Sequence, residues 1–343
     1  MSQESLEIIK KSIQVWLDDL IPIEITLKAE TVLQLDSHMM QACKELYAFI
    51  THLYTDMCDY PDEYGLLNED KETRGRALGV LHAFIWQGIP DGELMNDSLV
   101  RIPNFEQKIN HHKGNVKLFN KTPFSMRQRL DFLQRCGLYI ENKGADAYIT
   151  NSEYPNMFLP LQKLRQASKK NYAGSVVYHN CEFRLISNPK YQPTLYDIMY
   201  NRTSSETEEL LLQLDAYAKE RRFKPECRVK ECIYYRYKGK RIMTVTVRRN
   251  LVYVLIDIGD IDHINQISYT DNFKTFIEKN MHYCTNCFAH HGDGKKITLF
   301  GNQVGVCGRE SLNVRNPKSS QIDYITQAIN YGCDVVDGSV KKH

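Results

Sequence analysis

The chain has 343 residues and a mass of 40.0 kDa, with 42% hydrophobic and 25% charged residues and a formal net charge of +2. That apolar content supports packed cores and excludes wholesale disorder, and the length suits more than one domain. The longest apolar run, 251–256, is far short of the ~18 residues of a membrane span, and the opening MSQESLEIIKK lacks the parts of a secretory signal, so a cytoplasmic protein is expected.

Residues 1–97 read as a helical region. Residues 5–19 and 37–55 carry apolar side chains at helical spacing, with Met40, Cys43, Leu46, Ile50 and Leu53 on one stripe. Asp36 and Ser37 supply the cap of the second helix. A polar stretch over 59–70 precedes a third helix over 72–86, which Gly88, Pro90 and Gly92 bring to an end. The first 100 residues are acidic, with 18 Asp/Glu against 7 Lys/Arg.

Residues 98–174 change sign and rhythm, and 101–175 hold 13 Lys/Arg against 5 Asp/Glu. A short helix is expected over 105–111 and an extended piece over 116–119. A helix over 123–136 follows, with Thr122 as cap and Pro123 in its first turn. Gly137 stops it. Residues 138–141 and 147–150 then form a hairpin around Asn142-Lys143-Gly144-Ala145, and a further helix spans 156–170. Met126, Leu130, Leu133 and Cys136 point inward on the 123–136 helix. Arg127, Gln128, Asp131, Gln134 and Arg135 are left outward.

Helix, glycine stop and two-stranded hairpin over 124–150 resemble the recognition helix and wing of the winged-helix family. The resemblance implies contact with double-stranded DNA or a protein partner. Arg127, Gln128, Gln134 and Arg135 would read bases or hold phosphates, while Lys121 and Lys143 would touch the backbone. Asp131, in the middle of the helix, would repel phosphate.

Residues 175–270 read as an α+β domain. Residues 176–186 look extended. A helix over 206–222 places Leu210, Leu211, Leu214 and Tyr217 on one side. Strands over 230–237, 241–248 and 251–258, joined by tight turns at Lys238-Gly239 and Arg249-Asn250, form an antiparallel meander. The third is apolar at every position over 251–256 and calls for cover on both faces, with Val245 and Tyr253 buried. Basic residues crowd this region, 12 Lys/Arg against 3 Asp/Glu over 219–249. Alternation places Tyr234 on one face of its strand and Tyr235 and Tyr237 on the other. Together with Tyr253 they are the candidate lining of a small-molecule pocket. The helix and meander are similar in outline to small ligand-binding α+β domains of bacterial regulators.

Residues 271–343 form a tail: a helix over 272–281 capped by Asp271, a cysteine cluster, a hairpin turned at Gly301-Asn302 and a last helix over 319–331. Cys284 and Cys287 are spaced C-x-x-C, and 19 residues separate Cys287 from Cys307. A tight turn can present two thiolates to zinc at ~2.3 Å, and the hairpin would return the third. The cluster resembles a degenerate zinc ribbon in which Glu310 stands where a fourth cysteine would. His290, His291, Glu310 and, more distantly, Cys333 are the candidates for the fourth ligand of a structural zinc. The tail, and the chain overall, resemble uncharacterised bacterial multidomain proteins.

No P-loop, G-x-G-x-x-G, G-x-S-x-G or H-E-x-x-H sequence occurs, which lowers the expectation of an enzyme. The expected fold is therefore α+β and multidomain, and the expected role is regulatory. A metal-dependent enzyme using the cysteine cluster with Glu310 as base is the first alternative, and a pure interaction protein the second.

Overall fold

A computed structural model describes residues 3–27, 35–64, 79, 81–105, 107, 130–170, 178–199, 202–229, 232–248, 251–259, 264–265, 269–281, 295–306 and 311–339. Helices mix with antiparallel sheets, as an α+β chain requires. The chain divides into two compact units, 1–191 and 192–343, each with its own apolar core. No described helix is long and apolar enough to cross a membrane.

In the first unit, helix α1 (Gln3–Asp18) packs on α2 (Ser37–Asp59). Asp36 caps α2 by accepting the Met39 N–H at 2.7 Å. Cys43, Leu46, Phe49, Ile50 and Leu53 are buried along it, whereas Met40 is only half-buried because the stripe runs through Met39. The expected third helix ends in a π turn over Phe84–Gly88, where the buried Trp86 indole donates to the Tyr54 hydroxyl at 2.9 Å.

Two strands that the sequence pattern does not announce follow, β1 (Glu93–Asn96) and β2 (Leu99–Ile102). Their turn is held by the Ser98 N–H on the Asn96 side-chain oxygen at 3.0 Å. The expected hairpin is β3 (Leu138–Lys143) and β4 (Asp146–Asn151), and β2 pairs with β4 to give a sheet of order β1-β2-β4-β3. Leu130, Leu133 and Cys136 are buried ahead of it, and Asp131 and Gln134 are exposed. Gly137 adopts φ +73, and a Cβ there would lie 2.7 Å from the Asn151 side-chain oxygen, so the stop requires glycine. The elements expected over 108–119 and the start of the 123–136 helix lie outside the described residues. Helix α3 (Phe158–Ser168) packs on α2.

The extended reading of 176–186 is corrected over its described part, 178–186. Tyr178–Asn180 is a 3-10 turn and Arg184–Ser187 a short helix, with Cys181 between them at φ +58. Tyr178, Cys181, Phe183 and Leu185 are buried in the first unit's core. Consecutive burial of 180–185, with the Glu182–Arg184 ion pair among them, leaves none of the alternation that would mark a strand.

The second unit is built on a five-stranded antiparallel sheet of order β11-β8-β7-β6-β5. Helix α4 (Ser205–Glu220) starts at Ser204, whose hydroxyl accepts the Thr207 N–H at 3.3 Å. The expected meander is β6 (Cys232–Tyr237), β7 (Lys240–Arg248) and β8 (Leu251–Asp257), paired consecutively. Strand β5 (Lys224–Val229) joins one edge, and β11 (Ser311–Arg315) pairs with β8 at the other. Neither edge strand was expected.

Helix α5 (Asp271–Asn280) is capped by Thr270, not Asp271, through the Phe273 N–H at 3.3 Å. The hairpin of β9 (Lys295–Leu299) and β10 (Asn302–Val306) turns at Phe300 and Gly301, both with positive φ, one residue earlier than expected. Helix α6 (Ile322–Asp337) packs on β7 and β8, α5 packs on β11, and α4 packs on α6. Gly332 lets α6 approach: a Cβ there would meet the Asp257 carbonyl oxygen at 2.5 Å.

Candidate functional site

Strand register sorts the second sheet into two faces. Ile233, Val245, Val254 and Val314 stand opposite one another in one row, and Tyr235, Met243, Ile256 and Leu312 in the next. All eight are buried in the core that the helices complete. The intervening residues face the other way. There Tyr234, Thr244, Leu255 and Asn313 form one cross-strand row, and Cys232, Thr246, Tyr253 and Arg315 form its neighbour.

This outer face is where two of the four candidate tyrosines meet. Tyr234 and Tyr253 are both half-buried. The Arg241 guanidinium lies 5.2 Å from the Tyr234 ring centre, and that of Arg315 lies 5.6 Å from the Tyr253 ring centre. Arg241 reaches this face because β7 is irregular beside Ile242, which pairs Arg241 with Arg236 while Met243 pairs with Tyr235. Arg236 is committed to Glu226 at 2.8 Å. Among the described residues Arg241 and Arg315 have no carboxylate partner.

Opposite Tyr234 and one row from Tyr253 sits Thr244, only 6% exposed, and its hydroxyl oxygen finds no hydrogen-bond partner among the described residues. The Asn313 side-chain oxygen in the same row is buried and unpartnered in the same sense. Beside them the Cys232 sulfur is 3.3 Å from the Thr246 hydroxyl.

Tyr235 and Tyr237 do not join this site, a correction that follows from the two-residue period of a strand. Tyr235 is fully buried and donates to the Asp215 carboxylate at 2.7 Å. Burial first, and the Asp215 carboxylate second, push its phenol well above the usual range. Tyr237 packs against Phe223 at 5.3 Å and donates to Asp337 at 3.0 Å. Tyr253, expected in the core, belongs to the outer face. Strand β8 alternates buried and half-buried residues, so the two-sided burial expected of it gives way to one fully buried face.

In the first unit the candidate DNA-reading residues separate. Gln134 and Lys143 are exposed; Lys143 pairs with Glu141 at 2.9 Å and lies over the Tyr148 ring. Arg135 is exposed but tied down: its fork grips both Asp56 oxygens at 2.8 and 2.9 Å, and a third N–H reaches Glu63 at 2.6 Å. Its guanidinium also covers the Tyr60 ring at 4.1 Å. Asp56 further accepts the Tyr64 hydroxyl at 2.7 Å. Arg135 is exposed, as expected, but the bidentate face that would read a base is engaged by Asp56. Lys121, Arg127 and Gln128 lie outside the described residues.

The zinc candidates Cys284, Cys287, His290, His291, Cys307 and Glu310 also lie outside them. Cys333 is described, buried on α6 in the second unit's core, where burial pushes its thiol up to about 11. The described residues hold no group of three or more His, Cys, Asp or Glu suited to a metal ion.

Thr244, Asn313, Arg241 and Arg315 are the site residues that sequence reading missed. Counting by twos from Tyr234 across the meander would have reached Thr244. Asn313 and Arg315 were out of reach because β11 was not recognised. No family model matches the chain, and no curated protein and no solved structure resembles it closely enough to count as a match.

Proposed function

We propose that the second unit binds a small molecule on the outer face of its sheet, and that the protein is regulatory, coupling that ligand to a contact made by its N-terminal half. One observation carries the reading: the Thr244 hydroxyl, opposite Tyr234, is buried and finds no partner among the described residues. A buried polar group without a partner costs about 1–3 kcal/mol, and a ligand that supplies the partner recovers that cost on binding. The half-buried aromatic rings beside it offer contact area at low entropic cost.

A thermal-shift screen of metabolites on the full chain tests this. At a concentration 100 times its dissociation constant a true ligand stabilises by about 2.7 kcal/mol. Hits are expected to lose their shift in Thr244→Val and Tyr234→Ala. A screen whose hits act equally on both variants, or which yields none, refutes the reading.

The DNA contact rests on the winged-helix resemblance and on Gln134 and Lys143, with Lys121, Arg127 and Gln128. It predicts binding that weakens steeply with salt, and a gel shift showing no retarded band at low ionic strength removes it. The metal-enzyme alternative draws on none of the described residues.

A further inference from the structure

We infer that the ligand of the outer sheet face is a flat-ring molecule bearing an oxyanion, a carboxylate or a phosphate; this rests on the reading of that face as a ligand site. Arg241 and Arg315 bring two positive charges to one face, each laid over a tyrosine ring. Two neighbouring cations are answered by acids, Arg236 by Glu226 and Lys238 by Asp337. Arg241 and Arg315 have no such partner among the described residues. A guanidinium presents parallel N–H groups that match an oxyanion bidentately, and a ring face beneath it fixes its plane.

The neutral groups complete the specification. Thr244 can donate to or accept from the ligand, and the Asn313 oxygen can only accept, so the ligand offers an N–H or O–H beside its ring. Thr244 on β7 stands opposite Tyr234 on β6, and Tyr253 on β8 stands opposite Thr246, the next residue of β7 on the same face. Adjacent strands are about 4.8 Å apart and successive residues on one face about 7 Å, so the two tyrosines stand about 12 Å apart on the diagonal, the scale of one ring system and its acid group rather than of a polymer. Both tyrosines are half-buried, and Thr244 lies deeper still, which favours a small molecule settling between them over a strand of nucleic acid stacking on open rings.

The test is equilibrium binding to the full chain by calorimetry, using acids paired with their neutral counterparts: AMP with adenosine, and aromatic carboxylates with their carboxamides, with inorganic phosphate and a ten-nucleotide single strand as controls. At least one ring acid is expected to bind about tenfold or more tighter than its neutral partner, and tighter than phosphate. Arg241→Gln or Arg315→Gln, whichever guanidinium holds the oxyanion, should erase most of that preference, and the double variant should erase it whichever one does. Neutral partners that bind as tightly as the acids, yet lose binding in Thr244→Val, overturn the oxyanion and keep the site. Binding by no probe, or binding indifferent to Thr244→Val and both arginine variants, overturns the site as well. A single strand that binds more tightly than every ring acid, and depends on Tyr234 and Tyr253, replaces the small molecule with nucleic acid.

Discussion

Arg135→Ala separates a structural arginine from a DNA-reading one. The substitution strips Asp56 of two hydrogen bonds, at 2.8 and 2.9 Å, and leaves that carboxylate with the Tyr64 hydroxyl at 2.7 Å. Asp56 is 9% exposed and Arg135 33%. Removing one partner of a fully buried pair costs about 3–5 kcal/mol, and water reaching Arg135 screens part of it, so about 2–3 kcal/mol is expected at neutral pH. The arm to Glu63, whose side chain is 41% exposed, adds little. For a unit of this length the loss lowers the melting temperature by roughly 4–12 °C.

The pH dependence carries its own sign. Burial works against the Asp56 carboxylate, but the hydrogen bonds from Arg135 and Tyr64 and the Arg135 charge hold its pKa below the ordinary 3.8. A carboxylate depressed in the folded state contributes stability above its ordinary pKa and loses it as pH falls through the folded value. The deficit of Arg135→Ala should therefore be full above about pH 5 and shrink below about pH 4. Urea unfolding followed by tryptophan fluorescence reads it cleanly, because Trp16 and Trp86 both lie in the first unit. Arg135→Lys keeps the charge, loses the fork and should recover only part of the loss. A deficit under about 0.5 kcal/mol, or one unchanged from about pH 7 to pH 3, refutes the staple.

Gly332→Ala should destabilise the second unit by about 1–3 kcal/mol, since its methyl meets the Asp257 carbonyl oxygen at 2.5 Å. Far-UV circular dichroism should show the loss while the tryptophan transition stays put. Tyr235→Phe removes the 2.7 Å bond to Asp215 and should cost about 1–2 kcal/mol in the same assay; an unchanged midpoint would show that bond to be idle. Metal analysis of protein purified without chelator is expected to find about one zinc per chain, and less than about a tenth of an equivalent ends the Cys284, Cys287 and Cys307 reading.

Sequence by itself determined what local chemistry controls. The stripe through Cys43, Leu46 and Ile50 makes α2, and Asp36 starts it. Gly137 ends the helix before β3, and Lys238-Gly239 turns β6 into β7. Each rests on side-chain periodicity or backbone freedom within a few residues, which a reader of the chain can see. Tertiary structure decided the rest. Strand β11 pairs with β8 from more than 50 residues away, and only that pairing places Asn313 and Arg315 beside Thr244 and Tyr253. Arg135 looks like a surface cation until α2 brings Asp56 to it, 79 positions back along the chain. Residues 178–187 lose their strand-like reading because Tyr178, Cys181, Phe183 and Leu185 all enter the first core, which short helical turns allow and a strand's alternation does not. In each case the deciding energy comes from partners distant in sequence, whose positions no local pattern encodes.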